Sequence, residues 1–360
     1  MNRVFNFNAG PATLPIEALE VAKNEFLDYK GLGMSVFEMS HRSKDYEAIL
    51  EDTKTLLKKQ LGIPDNYHIL FLGGGASLQF AMIPMNFLSA DQTADYINTG
   101  AWSQKAISEA KLFGKVNIAG SSEEAKFTFI PAQNELKLSP DAVYVHMTSN
   151  NTIFGTQFPY WPDPHGKPLI CDMSSDILSR KIDVSKFALI YAGAQKNIGP
   201  AGVTVVIMNP DFAAKQKSGL PKILSYSTHI KENSLYNTPP CYNIYMIKLV
   251  LQWVDQIGGL TEIEKRNKIK KDMLYGAVDN SGGYYRGTVR PDSRSGMNAT
   301  MRLGSEELEE KFVKEAKAAG MIGLKGHRSV GGIRVSMYNA LPVAGIEKLV
   351  EFMADFKKKN

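Results

Sequence analysis

Two apolar runs that end in polar turns decide the fold: PLICDMSS at residues 168–175 and FALIYAGAQKNIGP at residues 187–200. Short apolar runs bounded by glycine and proline are typical of buried strands. The first run stops at Asp172, and the second stops at a turn that carries Lys196. Because open α/β sheets bind ligands at the carboxyl ends of their strands, the pattern predicts an acid and an amine at one edge of a sheet.

Lys196 stands among small residues, which leave room for a flat ligand and allow a tight backbone turn. A lysine in such a partly desolvated position loses its proton readily and becomes a nucleophile, as Schiff-base chemistry requires. A solvated surface lysine is the alternative, because most loop lysines are of that kind. Asp172 favours catalysis, since a pyridoxal phosphate site needs a lysine for the imine and an acid at the pyridine nitrogen.

The composition is that of a globular chain with a mild positive charge. Its 360 residues, 44% of them hydrophobic, are enough for a large core, which we expect to be divided between two domains. The net charge of +5 does not indicate nucleic acid, but it suits small anionic ligands where arginines converge.

Cysteine, histidine and hydropathy patterns predict a soluble cytoplasmic protein without a metal site. Cys171 and Cys241 cannot form a disulfide framework and lack the spacing of metal ligands, and the six histidines are scattered. The first residues, MNRVFN, lack the apolar region of a signal peptide, and no apolar stretch reaches membrane-spanning length.

Helical and strand patterns alternate from about residue 46 to residue 210, which predicts an α/β fold with a mainly parallel, doubly wound sheet. A first helix is expected over residues 16–29, ahead of this region. After Gly258–Gly259 the pattern becomes that of a smaller α+β domain, with a strand expected at residues 284–289. The predicted division is residues 16–258 for the large domain, with residues 1–15 and 259–360 in the small domain.

A strand at residues 68–72, the glycines at 73–75 and an apolar helix predict a loop whose backbone N–H groups face a phosphate. The loop is not a P-loop, because no Gly-Lys-Ser/Thr follows. It is not a dinucleotide fingerprint either, because Leu78 replaces the third glycine. A plain tight turn is equally compatible with this stretch.

Five cationic residues lie in loops or beside glycines, where they could meet an anion: His41, Arg42, His327, Arg328 and Arg334. Guanidinium groups match the geometry of carboxylates and phosphates, although surface solvation explains each residue taken singly. Trp102, at a strand-to-helix junction, could stack on a ligand ring or belong to the core. Thr152 ends a polar cluster that is able to hydrogen-bond a ligand.

Together these segments resemble the phosphoserine aminotransferase family, one of the class-V aminotransferases among the fold-type-I pyridoxal-phosphate enzymes. The motifs span nearly the whole chain in the family's order: FNAGPA at 7–12, MSHR at 39–42, GGG at 73–75 with Gln79 and Phe80, AGAQKN at 192–197, NTPP at 237–240 and GHR at 326–328. The resemblance implies a large domain with a mainly parallel seven-stranded sheet between helices, and a smaller α+β C-terminal domain.

The resemblance also implies the residues that bind pyridoxal 5'-phosphate. Lys196 would form the Schiff base, Asp172 would pair with the ring nitrogen, and Trp102 would stack on the ring. Thr152 would hydrogen-bond the phenolic oxygen. The phosphate would be held by Ala76, Ser77 and Gln195, and by Asn237 and Thr238 from the neighbouring subunit of a homodimer.

For the substrate, the resemblance implies that Arg334 binds the α-carboxylate. The distal phosphate, or the side-chain carboxylate of glutamate, would be surrounded by His41, Arg42, His327 and Arg328. Ser77 is a departure, because some family members have an arginine at this position. This chain therefore lacks one of the charges that neutralise the distal anion in those members.

The implied reaction interconverts 3-phosphohydroxypyruvate and L-glutamate with O-phospho-L-serine and 2-oxoglutarate, in serine biosynthesis, with Lys196 as the general base. Bacterial-type members are also linked to pyridoxine biosynthesis through 4-phosphohydroxy-L-threonine. The alternatives are another fold-type-I transaminase or desulfurase, or a non-catalytic protein that binds a phosphorylated ligand. A desulfurase is disfavoured, because neither Cys171 nor Cys241 lies on a mobile loop.

Overall fold

The structure is a computed structural model that describes residues 3–360; Met1 and Asn2, the start of the predicted small domain, lie outside the described residues. The strands are β1 (Phe5–Asn6), β2 (His68–Leu72), β3 (Thr93–Asn98), β4 (Lys115–Ser121), β5 (Val145–Thr148), β6 (Leu169–Asp172), β7 (Leu189–Gly193), β8 (Thr204–Met208), β9 (Arg286–Gly287), β10 (Asn298–Arg302), β11 (Met321–Ile322) and β12 (Ile333–Ser336). The helices are α1 (Ile16–Asn24), α2 (Lys44–Leu61), α3 (Gly75–Phe87), α4 (Ala101–Ala110), α5 (Pro210–Ala213), α6 (Tyr226–Lys231), α7 (Cys241–Gln256), α8 (Gly259–Asp279), α9 (Glu306–Ala318) and α10 (Val343–Lys359).

A seven-stranded sheet in the order β2-β8-β7-β6-β5-β3-β4 forms the centre of the molecule. β8 is antiparallel to β2 and to β7, and the other neighbouring pairs are parallel. The predicted α/β fold with a mainly parallel seven-stranded sheet is therefore confirmed. Asp172 pairs in register with Thr148 on one side and with Tyr191 on the other, so β5, β6 and β7 end at one edge.

Helices cover both faces of this sheet. On one face, Leu57 of α2 and Ile247 and Leu251 of α7 pack in one cluster with the strand residues Cys171 and Ile190. On the other face, α3 and α4 pack on Ile170 and Tyr191. A strand that is buried on both faces has a continuous apolar sequence, which explains why the sequence predicts β6 and β7.

The C-terminal part of the chain has its own strands and apolar cluster. β10 lies between β12 and β9, antiparallel to both, and β1 pairs with β11 in parallel. Phe7 packs with residues of α8, α9 and α10, among them Phe312 and Leu349. The contacts of β1 and Phe7 with the C-terminal part are compatible with the predicted domain division at residues 258–259, which stays a prediction.

Two elements are shorter than the sequence pattern predicts. The helix predicted for residues 16–29 ends at Asn24, because the apolar period continues into Phe26, which contacts Phe37 and Tyr242 in an irregular segment. The strand predicted for residues 284–289 pairs only at Arg286–Gly287, because Tyr285 turns into the core after the Ser281 turn. No helix within residues 3–360 has both the length and the hydropathy needed to cross a membrane.

Candidate active site

Lys196 lies in the turn after β7, at the carboxyl edge of the sheet. Its amine donates a hydrogen bond of 2.6 Å to Thr152 Oγ1. Although part of the side chain is exposed, desolvation lowers the pKa of Lys196 to about 8; the charge of Asp172 opposes this shift, and that of Arg334 adds to it. About a tenth of such an amine is neutral at pH 7, against well under a hundredth for an ordinary lysine.

Asp172 ends β6 and is 4% exposed. Its Oδ1 accepts a hydrogen bond of 2.8 Å from the backbone N–H of Ser174, whose hydroxyl in turn accepts one of 3.1 Å from Gly193 N. Ser174 thus ties the two polar turns together. Desolvation raises the pKa of Asp172, and within the described residues the carboxylate is in no ion pair. A buried carboxylate that forms no ion pair is suited to a protonated ligand nitrogen.

Thr152 and Arg334 complete a compact group around the lysine. Thr152 follows β5 and is buried. Its hydroxyl accepts a hydrogen bond from the Lys196 amine, and its carbonyl accepts one of 3.4 Å from Arg334 Nη1. Arg334 projects from β12, and its buried Nε has no hydrogen-bond partner in the part of the chain that the structure describes. Desolvation lowers the pKa of Arg334. The structure thus brings together four of the predicted site residues: Asp172, Lys196, Thr152 and Arg334.

Trp102 lies in the first turn of α4, with its ring centroid 5.2 Å from the Lys196 amine. The turn before the helix requires Gly100, because a Cβ at that position would lie 2.5 Å from Asn151 Oδ1. Trp102 Nε1 is buried and has no hydrogen-bond partner among residues 3–360. An aromatic face beside the lysine and an unused N–H donor fit a flat, polar ligand.

Ala76 and Ser77 are in the first turn of α3, where N–H groups have no partner within the helix. Gly74 precedes the helix with φ 82°, and a Cβ there would lie 2.6 Å from Leu78 Cβ. The positive end of the helix dipole and these free N–H groups favour an anion. Gln195, beside Lys196, keeps the N-terminal segment close, since its carbonyl accepts from Ala12 N at 2.9 Å.

The remaining predicted residues form separate groups around this centre. His327 Nδ1 and Ser329 Oγ form a hydrogen bond of 2.7 Å, and Arg328 is exposed. The buried Nε2 of His41 has no hydrogen-bond partner among the described residues, and Arg42 is exposed. Within residues 3–360, no hydrogen bond joins His41 or Arg42 to Arg334 or Lys196.

Asn237 and Thr238 are exposed and line a cavity of about 450 Å³ with Gly73. The Asn237 side chain bonds only the carbonyl of Thr238 among the described residues, at 3.1 Å. A single chain therefore does not bring these two residues into hydrogen-bond contact with Ala76, Ser77 or Gln195.

Sequence reasoning missed two groups beside the lysine. Asp176 is buried, and its carboxylate accepts from the Ser149 hydroxyl and from Gln157 Nε2. Asn197 Oδ1 accepts from the backbone N–H of Asn339 at 3.0 Å. The first had a signal, a second acid four residues after Asp172, whereas the second joins residues 142 positions apart.

A buried acid and a desolvated lysine at the carboxyl edge of a mainly parallel sheet define a site for a cofactor that binds an amine. The family model for class-V aminotransferases matches residues 4–349, so the chain belongs to this family.

Three similar proteins narrow the assignment. A protein of Bacillus subtilis (strain 168) named phosphoserine aminotransferase is 55% identical over 360 residues, which cover 100% of each chain. The solved phosphoserine aminotransferase from Bacillus circulans subsp. alkalophilus is 54% identical, covers 99% of each chain and has a TM-score of 0.97. The solved PLP-bound phosphoserine aminotransferase from Trichomonas vaginalis is 38% identical, covers 98% of this chain and 100% of its own, and has a TM-score of 0.93. Within the class-V family, the chain is thus grouped with the phosphoserine aminotransferases.

Proposed function

We propose that the chain is a pyridoxal-phosphate-dependent aminotransferase that interconverts O-phospho-L-serine and 2-oxoglutarate with 3-phosphohydroxypyruvate and L-glutamate, in serine biosynthesis. One observation carries the proposal. The amine of Lys196 is desolvated, held at 2.6 Å by Thr152 and electrostatically coupled to Asp172. The full-length similarity to phosphoserine aminotransferases supports the choice of substrates.

The residues around Lys196 fit pyridoxal phosphate. Within residues 3–360, no hydrogen bond reaches Asp172 Oδ2, which could therefore face the ring nitrogen, and Thr152 could bond the phenolic oxygen. The buried, unpartnered Nε1 of Trp102 adds a donor beside an aromatic face. The phosphate would be held by the α3 amides of Ala76 and Ser77, with Gln195. The PLP-bound relative from Trichomonas vaginalis supports pyridoxal phosphate as the cofactor.

Each of these residues has a chemical task. Pyridoxal phosphate supplies an aldehyde that a primary amine can bind and a ring that withdraws electrons from the α-carbon of an amino acid. Asp172 holds the proton at the ring nitrogen, because its buried carboxylate gains a cationic partner there. Once its amine is free and neutral, Lys196 removes the proton from the α-carbon of the amino acid. When the reaction runs in the opposite direction, Lys196 returns a proton to that carbon. A pKa of about 8 suits this role near neutral pH.

The substrate anions would be shared among cationic side chains. Arg334 would bind the α-carboxylate, since its guanidinium lies beside Thr152 and has an unused buried N–H. His41, Arg42, His327 and Arg328 would surround the distal group. Two substrates with different distal charges use this region, and separate donors can adapt to both better than one rigid clamp.

A homodimer would complete the site. Leu27, Phe37 and Phe26 are 80%, 60% and 47% exposed, and Phe37 stacks at 3.9 Å on Tyr242, close in sequence to Asn237–Thr238. Monomers rarely leave such an apolar patch open to water. Asn237 and Thr238 make no hydrogen bond with the phosphate-binding residues of their own chain, as expected if they serve the partner's cofactor.

The reaction is tested with purified protein and with Lys196→Ala. The wild-type protein should be yellow, and L-glutamate should bleach this band as the amino group is taken up. O-phosphoserine should do the same, whereas L-alanine should have little effect. Lys196→Ala should lose turnover by more than about a thousandfold. Unchanged turnover in that variant would reject the proposal, and a colourless wild-type protein that only binds O-phosphoserine would favour a binding protein.

The shared site is tested by subunit mixing. Lys196→Ala and the double variant Asn237→Ala/Thr238→Ala are each expected to be nearly inactive as homodimers. A mixed dimer has one site with both defects and one with neither, so mixing should restore activity. No recovery after verified subunit exchange would contradict the sharing of sites.

Two further assignments concern a second role and the location of the protein. The distal phosphate of 4-phosphohydroxy-L-threonine matches that of O-phosphoserine, so we infer a second role in pyridoxine biosynthesis, which a half-reaction with that compound tests. Cys171 and Cys241 are free thiols, which is typical of a reducing compartment and favours a cytoplasmic location.

A further inference from the structure

Lys105 is a further cation beside the Trp102 ring. It lies on α4, three residues after Trp102, so both side chains are on the same side of the helix. The Lys105 amine is 4.6 Å from the centroid of the Trp102 ring, and the Lys196 amine is 5.2 Å from the same centroid. Both amines are thus held close to one indole.

The stability of α4 does not explain this placement. In the part of the chain that the structure describes, Lys105 is in no ion pair, although Glu109 follows at the spacing of a helical pair. A positive charge in the first half of a helix also opposes the helix dipole. The cation–π contact with Trp102 is what orients the side chain.

Lys105 is within electrostatic reach of the proposed substrate-binding cations. Desolvation lowers the pKa of His327, and the charges of Arg334, Arg328 and Lys105 lower it further. These groups therefore repel one another, and an anion between them would relieve that repulsion.

A distal phosphate requires more positive charge around it than a distal carboxylate does. Ser77 provides a hydroxyl and an N–H but no charge, whereas a phosphate monoester carries a charge of about −1.5 to −2 near pH 7. The side-chain carboxylate of glutamate carries only one negative charge. A cation that contacts the distal group would therefore favour the phosphorylated substrate over glutamate.

We propose that Lys105 is a specificity-determining residue that binds the distal phosphate of the amino acid substrate. The assignment rests on the proposed transamination of O-phosphoserine. Lysine suits the role because its ammonium is a mobile point charge, which can also withdraw to Trp102 when glutamate is bound.

The test compares Lys105→Met with Lys111→Met, a matched change of an exposed lysine at the end of the same helix. Half-reactions of the loaded enzyme are followed separately with O-phosphoserine and with glutamate. In Lys105→Met, the half-saturating O-phosphoserine concentration should rise about five- to tenfold and that of glutamate less than about twofold, with limiting rates unchanged. Lys105→Arg should restore the preference, and Lys111→Met should leave both values as in the wild type.

A second readout uses inorganic phosphate as the probe. Phosphate should perturb Trp102 fluorescence in the wild-type enzyme, and the required concentration should rise several-fold in Lys105→Met. Equal changes for O-phosphoserine and glutamate, or no change for either, would overturn the role of Lys105 while leaving the transamination intact. A wild-type enzyme inert towards O-phosphoserine would instead overturn the proposed function, and the role of Lys105 with it.

Discussion

At the scale of single residues, Thr152 is the point where two charged groups meet. Its hydroxyl accepts a hydrogen bond from the Lys196 amine, and its carbonyl accepts one from Arg334 Nη1. The sequence predicted Asp172 and Lys196, because both follow apolar strands, and it predicted a polar cluster ending at Thr152. It could not predict the Arg334 contact, because that contact joins residues 182 positions apart.

We expect Thr152→Val to lower the pKa of Lys196 below about 8, by about one unit, because the ammonium loses the hydroxyl that accepts its hydrogen bond. Only the neutral amine combines with pyridoxal phosphate. The pH dependence of cofactor uptake by the cofactor-free protein should therefore have its midpoint near this pKa, shifted to lower pH in the variant. Thr152→Ser keeps the hydroxyl and should stay within a few tenths of the wild type. A midpoint in Thr152→Val that is unchanged or higher would contradict the role of this hydrogen bond.

At the scale of elements, the start of α3 presents the N–H groups that we propose to bind the cofactor phosphate. Its glycine loop could be recognised in the sequence, because a strand, three glycines and an apolar helix follow one another. The end of α1 could not, because Phe26 continues the helical apolar pattern but contacts aromatic rings outside a helix. Periodicity detects buried faces, whereas the residue at which a helix ends depends on tertiary packing.

We expect Gly74→Ala to destabilise the protein by about 3 kcal/mol, because it combines left-handed strain with a clash against Leu78. Gly31→Ala is the matched control: both glycines have φ 82°, but a Cβ at Gly31 meets nothing within 4 Å, so only the strain of about 1 kcal/mol remains. Denaturant unfolding measures both. Equal losses would show that the close approach to Leu78 is not what requires glycine. Gly74→Ala should also weaken pyridoxal phosphate binding, since α3 must shift.

At the scale of the whole molecule, a buried lysine connects α8 to the turn of Lys196. The amine of Lys270 donates to the carbonyls of Met337, Tyr338 and Leu341, at 3.0, 2.7 and 3.1 Å. The same loop carries Asn339, whose N–H bonds Asn197 Oδ1 next to Lys196. No sequence pattern distinguishes Lys270 from the other lysines of α8, because its acceptors are backbone groups about 70 residues away.

We expect Lys270→Met to lower the unfolding free energy by about 3 kcal/mol at pH 7, because three buried carbonyls lose their donor. Burial lowers the pKa of Lys270 to about 7, while the unfolded chain keeps this proton to about pH 10. The unfolded state therefore binds more protons above pH 7. The stability difference between wild type and variant should then grow from pH 7 to pH 9, by on the order of 1 kcal/mol per pH unit.

Lys268→Met serves as the control, because Lys268 is 74% exposed and pairs only with Asp272 across one helical turn. Its effect should stay below about 0.5 kcal/mol at every pH. Urea unfolding of the three proteins over this pH range gives the comparison. A difference between wild type and Lys270→Met that stays flat or falls as pH rises would mean that Lys270 remains charged when buried.

The most direct measurement of the central claim is borohydride reduction of the yellow protein, followed by digestion and mass mapping of the peptides. Reduction fixes the cofactor to the amine that holds it. We expect a single modified residue, Lys196, in the peptide that follows β7. Modification of another lysine, such as Lys105, or recovery of the Lys196 peptide without modification, would contradict the role of Lys196.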